Sequence, residues 1–212
     1  MGGGVDAHRI EQTDRAFPVV LRDRLGDGAP ACLYTMGNQG ILGKRLVGLL
    51  CSIQCPGSAI IRTYDAIRLL RDEGVGVIGG FHSPMERECL DILLRGDQPV
   101  VICPARRLRG TRLGQSVRQA VTDGQALILS PFGENVTRTT AAQALHRNEL
   151  VAAIADAILV PHAAPGGKTW ATVSSALARQ QPVLTFDIED NRALLAAGAQ
   201  PFAELSTRIT SR

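Results

Sequence analysis

From residue 46 onward, short apolar runs alternate with amphipathic segments, the pattern of a parallel sheet covered by helices on both faces. The runs predict strands at 46–51, 75–78, 100–103, 126–129, 157–160 and 183–186, with helices near 58–72, 84–94, 113–122, 141–155 and 169–178. In the first of these helices Ile60, Tyr64, Ile67 and Leu70 recur at three- and four-residue spacing. One stripe then faces the sheet while Arg62, Arg68 and Arg71 face water, and Gly74 ends the helix. Ahead of this unit, 17–27 reads as a short helix and loop, and 30–36 as a strand ending in the turn Gly37-Asn38. The expected fold class is α/β: a Rossmann-like, doubly wound, mainly parallel sheet over 46–205, preceded by a lead-in annex at 17–45. Residues 1–16 and 206–212 are polar enough to predict flexible ends.

Composition narrows the class. With 212 residues, 45% of them hydrophobic and 20% charged, the chain can bury one α/β core, which excludes wholesale disorder. The apolar runs are far below the roughly 18 residues of a membrane span, and the start Met1-Gly2-Gly3-Gly4 lacks a signal-peptide profile, so a cytoplasmic protein is expected. Its five cysteines have no framework spacing and read as reduced thiols. The net charge of +3 is weakly basic, and Lys44 and Lys168 are the only lysines. Positive charge therefore sits almost wholly on guanidinium forks suited to phosphate. Arg106, Arg107, Arg109 and Arg112 form a cluster, either an auxiliary phosphate contact or a solvated loop.

In such a sheet, ligands bind beyond the carboxyl ends of the strands, where helix N-termini present unpaired N–H groups. Four segments qualify: 51–57 with Ser52, 79–84 with Gly79, Gly80, His82 and Ser83, 130–135, and 161–169 with Gly166, Gly167, Lys168 and Thr169. Gly167-Lys168-Thr169 invites a phosphate-loop reading, but His162 stands where that motif needs its first glycine, so phosphate contact is expected without NTP hydrolysis. No catalytic constellation emerges, the dinucleotide fingerprint is absent, and Cys51-x3-Cys55 has no second ligand pair at zinc spacing. No cofactor or metal is expected. Arg147 and Asn148 are placed near a helix start, there to hold phosphate or to cap the helix.

The order of these motifs resembles the DNA-processing protein A (DprA/Smf) family, within a wider group that includes the LOG phosphoribohydrolases. Residues 30–38, followed by Leu42, resemble the family's lead-in strand, and 46–52 its first core strand with a Gly-Ser-Arg turn. Residues 76–83 fall where the family has Ser-Gly-Leu-Ala, Arg147-Asn148 on the first two residues of its Arg-Asn-Arg helix start, and 166–169 on its Ser-Gly-Ser-Leu loop. Cys51 and Ile53 replace the glycine and arginine of the first turn, and Glu149 replaces the second arginine of the helix start.

The resemblance implies a Rossmann-like domain that binds single-stranded DNA through a positive pocket, commonly as a homodimer, with the recombinase RecA as a partner during DNA uptake and recombination. The strand-end loops and the resemblance together give Ser52, Gly79, Gly80, His82, Ser83, Arg147, Asn148, Gly166, Gly167, Lys168 and Thr169 as candidate site residues, and the basic cluster of Arg106, Arg107, Arg109 and Arg112, which falls on no family motif, as a candidate auxiliary contact. Phe81, Phe132 and Trp170 lie beside three of the loops and are candidates for base stacking or for core packing. The competing reading is a nucleotide sensor or LOG-like phosphoribohydrolase, to which Pro165-Gly166-Gly167 is suited, although Val173 occupies the place of the LOG catalytic glutamate. Arg147→Ala and Lys168→Ala are each expected to weaken phosphate-dependent binding and leave the melting temperature unchanged.

Overall fold

The computed structural model describes residues 7–203. Within them lies a nine-stranded sheet of order β1-β2-β6-β5-β4-β3-β7-β8-β9. Strands β3 (Leu46–Leu49), β4 (Gly76–Gly79), β5 (Val100–Ile102), β6 (Ala126–Ser130), β7 (Ala157–Leu159), β8 (Val183–Thr185) and β9 (Gln200–Pro201) are parallel, while β1 (His8–Glu11) and β2 (Cys32–Gly37) add antiparallel at the β6 edge. The helices are α1 (Val20–Leu25), α2 (Gly57–Asp72), α3 (Pro84–Leu93), α4 (Gln115–Thr122), α5 (Ala141–Ile154), α6 (Lys168–Ala178) and α7 (Arg192–Ala196). The doubly wound α/β class is as expected.

Alternation along the strands sorts the core into two layers. On one face Val47, Leu49, Val77 and Leu159 meet Ile67 and Leu70 of α2 and Cys89 of α3. On the other, Leu46, Ile78, Leu127 and Ile158 meet Leu21 of α1, Val151 of α5 and Val173 of α6. The end of α5 packs tightly on β3 because Gly48 has no side chain: a Cβ there would lie 3.0 Å from that of Ala155 and 3.5 Å from a Val151 methyl. At the β2 end, Gly37 has φ +108° and a Cβ would lie 2.5 Å from the Ala126 carbonyl oxygen, so this turn requires glycine.

The chain steps from β3 to β4, β5 and β6 on one side, then crosses back to place β7 on the other side of β3. This reversal opens a crevice at the carboxyl ends of β3 and β7, where ligands bind in open α/β sheets.

Three features differ from the sequence reading. Strand β1 lies inside the stretch predicted to be flexible, because Ile10 is buried in the main core and β1 pairs along its whole length with β2. A single apolar residue among polar ones has too weak a period to announce a strand; the cross-strand partner supplies the order. Segment 17–45 is continuous with the core sheet through β2–β6 pairing rather than an annex to it. Helix α7 and strand β9, both too short for a periodic signal, follow the last predicted strand. The predicted flexible tail at 206–212, residues 1–6 and the last two positions of the predicted core lie outside the described residues.

Candidate nucleic-acid interface

A cavity of about 450 Å³ opens at the carboxyl ends of β3 and β4, walled by Cys51, Ser52 and Ile53, by the β4–α3 turn, by 139–148 and by the start of α6. Three helices begin on this cavity, and their starts differ in what they offer an anion. At α3, Ser83 accepts a hydrogen bond from the Glu86 N–H, and the Glu86 carboxylate accepts from the N–H groups of His82 and Ser83, both at 2.9 Å. That start is filled by the protein's own carboxylate. Thr140 and Gln143 form the same box at α5. At α6, by contrast, Gly167 is the N-cap and no described side chain caps the helix. Its first N–H groups open on the cavity beside Lys168 and Thr169, which makes this start the one suited to an anion.

The turn that brings Glu86 round carries strain. Phe81 is non-glycine with φ +47°, and its ring is buried in the α2–α3 layer. Held this way, the chain aims two successive N–H groups at one carboxylate while Phe81 anchors it from below.

Arg147 forms the back wall of the cavity. It sits at the end of the second turn of α5, seven residues after the Thr140 N-cap, rather than near the helix start where the sequence reading placed it. Its side chain is only 7% exposed, donates to the Cys103 carbonyl at 2.9 Å and to the Asn148 side-chain oxygen at 2.8 Å, and lies across Gly80. A Cβ on Gly80 would fall 1.6 Å from an Arg147 guanidinium nitrogen, so a glycine here is what admits the guanidinium. Burial lowers the Arg147 pKa, and the nearby Glu86 carboxylate opposes that shift. A charge-assisted hydrogen bond of this kind is worth about 2 kcal/mol, so these contacts predict a lower melting temperature for Arg147→Ala, where the sequence alone predicts an unchanged one.

Of the sequence-predicted residues, Ser52, His82, Ser83, Arg147, Asn148, Lys168 and Thr169 line the cavity. Gly79 and Gly80 lie beneath it: a Cβ on Gly79 would touch the Phe81 ring, one on Gly80 the guanidinium of Arg147. Gly166, with φ +76°, makes the exposed turn leading into α6, and Gly167 caps that helix. Arg106, Arg107, Arg109 and Arg112 stand apart, on the loop after β5. Arg107 is tied to the β6–α5 segment by its N–H to the Val136 carbonyl at 2.8 Å and by its guanidinium to the Glu134 carbonyl at 3.0 Å. Phe81 and Phe132 are buried, and Phe132 packs on His146 with ring centroids 5.6 Å apart; neither is a free stacking platform. Trp170 is half-buried against the core.

The sequence reading missed Glu86, Thr139 and Thr140. The Ser83-x-x-Glu86 spacing was the available signal for the first, and Thr140-x-x-Gln143 for the last. It also missed Asn191, fully buried, which donates to the Pro161 carbonyl at 2.8 Å and the Thr185 hydroxyl at 2.9 Å and pairs with a His162 ring nitrogen at 3.0 Å. These bonds pin the loop after β7, whose His162 carbonyl in turn accepts the Ser52 N–H at 3.0 Å across the crevice. Among the described residues, no group of three or more His, Cys, Asp or Glu side chains is placed to hold a metal ion, and no helix is long and apolar enough to cross a membrane.

Comparison with known proteins places this geometry. The fold matches DNA processing protein A of Streptococcus pneumoniae with a TM-score of 0.76 and 17% identity, covering 92% of this chain and 70% of that one. It matches DNA processing protein A of Helicobacter pylori, a structure described for its single-stranded DNA binding mode, with a TM-score of 0.74 and 18% identity over 97% and 94% of the two chains. A molybdenum cofactor carrier protein of Chlamydomonas reinhardtii shares the fold more distantly, with a TM-score of 0.53 and 13% identity over 80% of this chain and all of that one. No curated protein sequence matches. The sequence model for DNA recombination-mediator protein A matches residues 8–210, nearly the whole chain, and the chain belongs to that family.

Proposed function

We propose that this chain binds single-stranded DNA at the strand-end cavity, with a backbone phosphate held between the open start of α6, Lys168 and the Arg147 wall. One observation carries the reading. Of the helix starts at the cavity, α6 alone lacks a side-chain cap, and it faces a buried guanidinium across a space of about 450 Å³. Family membership supports DNA as the source of the phosphate. Arg106, Arg109 and Arg112 are exposed at the same end of the sheet, and Arg107 docks their loop onto the segment that continues into Thr139 and Thr140 at the cavity rim. A strand leaving the cavity along that segment meets this cluster as its second set of phosphate contacts. The resemblance to the DprA family further supports a homodimer, RecA as a partner in recombination and a cytoplasmic setting as parts of the same proposal.

A cavity of about 450 Å³ also has room for one nucleotide, which keeps a nucleotide sensor as the second reading. Anisotropy of a labelled single-stranded oligonucleotide, titrated at several salt concentrations with free mononucleotide as competitor, separates the two. Strand binding predicts steep loss of affinity with salt and resistance to the competitor. Mononucleotide displacing the oligonucleotide at comparable concentration would favour the sensor.

A further inference from the structure

The cavity has an apolar side that phosphate binding leaves unused. Arg147, Lys168 and the α6 start make part of its lining cationic and polar, whereas Ile53, Ala141, Ala144 and Leu145 line it with apolar groups. Ala141, Ala144 and Leu145 stand at i, i+3 and i+4 of α5 and share one helix face, which Asn148 at i+7 continues into the polar side. None of the four apolar residues belongs to the hydrophobic core or packs against it. Ile53 is 86% exposed, more than any other large hydrophobic residue among those described. Its loop holds it there. On one side the Ser52 N–H donates to the His162 carbonyl at 3.0 Å; on the other Pro56 caps α2, and Cys51 and Cys55 pack against the α2–α3 layer. Ile53 is thereby kept on the cavity wall and out of the core.

A nucleotide has the same two sides, an anionic phosphate and a base with apolar faces. We propose that one nucleobase of the bound strand turns out of its stack into the apolar side of the cavity and lies against Ile53 and Leu145, while its phosphate is held at the α6 start. The proposal rests on the strand-binding reading and adds to it: the site recognises a base and a phosphate together, rather than a line of charge. Small-ligand sites are built this way, with apolar walls and a few polar groups that fix orientation. Phe81 and Phe132 are buried, so the base contact falls to aliphatic side chains. Such side chains meet the face of any base, and the slot favours no sequence. What it selects is an unpaired base, because a duplex must first unpair and unstack a base to fill it, and single strands need not.

The test measures anisotropy of a labelled oligothymidylate and of an abasic strand of equal length and charge, each titrated at several salt concentrations with the full chain, with Ile53→Ser and with Leu145→Ala. Wild type should bind the base-bearing strand about tenfold more tightly than the abasic one. Ile53→Ser should weaken the base-bearing strand about fivefold and leave the abasic strand unchanged. Its salt slope should stay that of wild type, since no phosphate contact is lost. Leu145→Ala should act in the same direction. Because Ile53 is exposed, its loss should leave the melting temperature unchanged, which separates the effect from unfolding. Equal, salt-dependent affinity of wild type for the two strands would overturn the base slot and leave strand binding standing. A preference for the base-bearing strand that both variants keep would place the base elsewhere and also overturn the slot. Binding of neither strand would refute the strand-binding reading, and the slot with it.

Discussion

Gly80 and Arg147 form one device: the missing Cβ makes room for a guanidinium that two oxygens then hold in place. Gly80→Ala should push that guanidinium out of position, cost about 1–2 kcal/mol in urea unfolding, and weaken oligonucleotide binding about tenfold. Wild-type affinity in this variant would separate Arg147 from the ligand. Lys168 is exposed and lines the cavity, so Lys168→Ala should weaken binding and reduce the salt slope by about 0.7, the contribution of one phosphate contact on a single strand, with the melting temperature unchanged. Cys103, beneath Arg147, has a different consequence. Burial raises its thiol from 9.0 to about 12, so the folded state holds this proton more tightly than the unfolded chain. The resulting stability is complete below about pH 9 and lost as pH rises towards 12. Urea midpoints at about pH 8 and about pH 10.5 should fall further apart in wild type than in Cys103→Ala; an equal fall in both would remove this role. At this scale two of the residues that line the cavity, Lys168 and Arg147, were legible in the sequence from their charge and their place beside a glycine turn or a polar run. It was silent on the Gly80–Arg147 contact, which exists only because α5 packs on the sheet.

At the scale of elements, capping decides which helix start is available. Helices α3 and α5 satisfy their own first N–H groups, whereas α6 begins with glycine and leaves them to the cavity. Thr140→Ala should therefore destabilise the protein by about 1 kcal/mol, read from urea unfolding, and move oligonucleotide affinity less than Lys168→Ala does. The six core strands and five principal helices were legible because each carries several apolar residues at one period. Strand β1 was not, since Ile10 is its one buried residue, and the internal placement of Arg147 on α5 was obscured because His146, Arg147 and Asn148 look like the polar opening of a helix. The capping boxes are local signals, Ser83-x-x-Glu86 and Thr140-x-x-Gln143, and need no tertiary contact to be legible.

Across the whole molecule, the reversal of strand order between β4, β3 and β7 gathers loops distant in sequence at one end of the sheet, and the basic loop after β5 lies at that same end. The doubly wound class was legible from the alternation of runs; the order of strands, and hence which loops share a wall, was not, because pairing is set by packing between residues far apart in the chain. The central claim is that a DNA strand occupies this end. Ultraviolet cross-linking of a single-stranded oligonucleotide carrying 5-iododeoxyuridine, with the joined peptides identified by mass spectrometry, tests it most directly. Cross-links should fall on the cavity wall, at Cys51, His82 and the stretch from Thr139 to Asn148, and extend towards the loop of Arg106 to Arg112. Cross-links confined to the outer face of α2 or to the β1 edge, with the cavity wall unmarked, would contradict it.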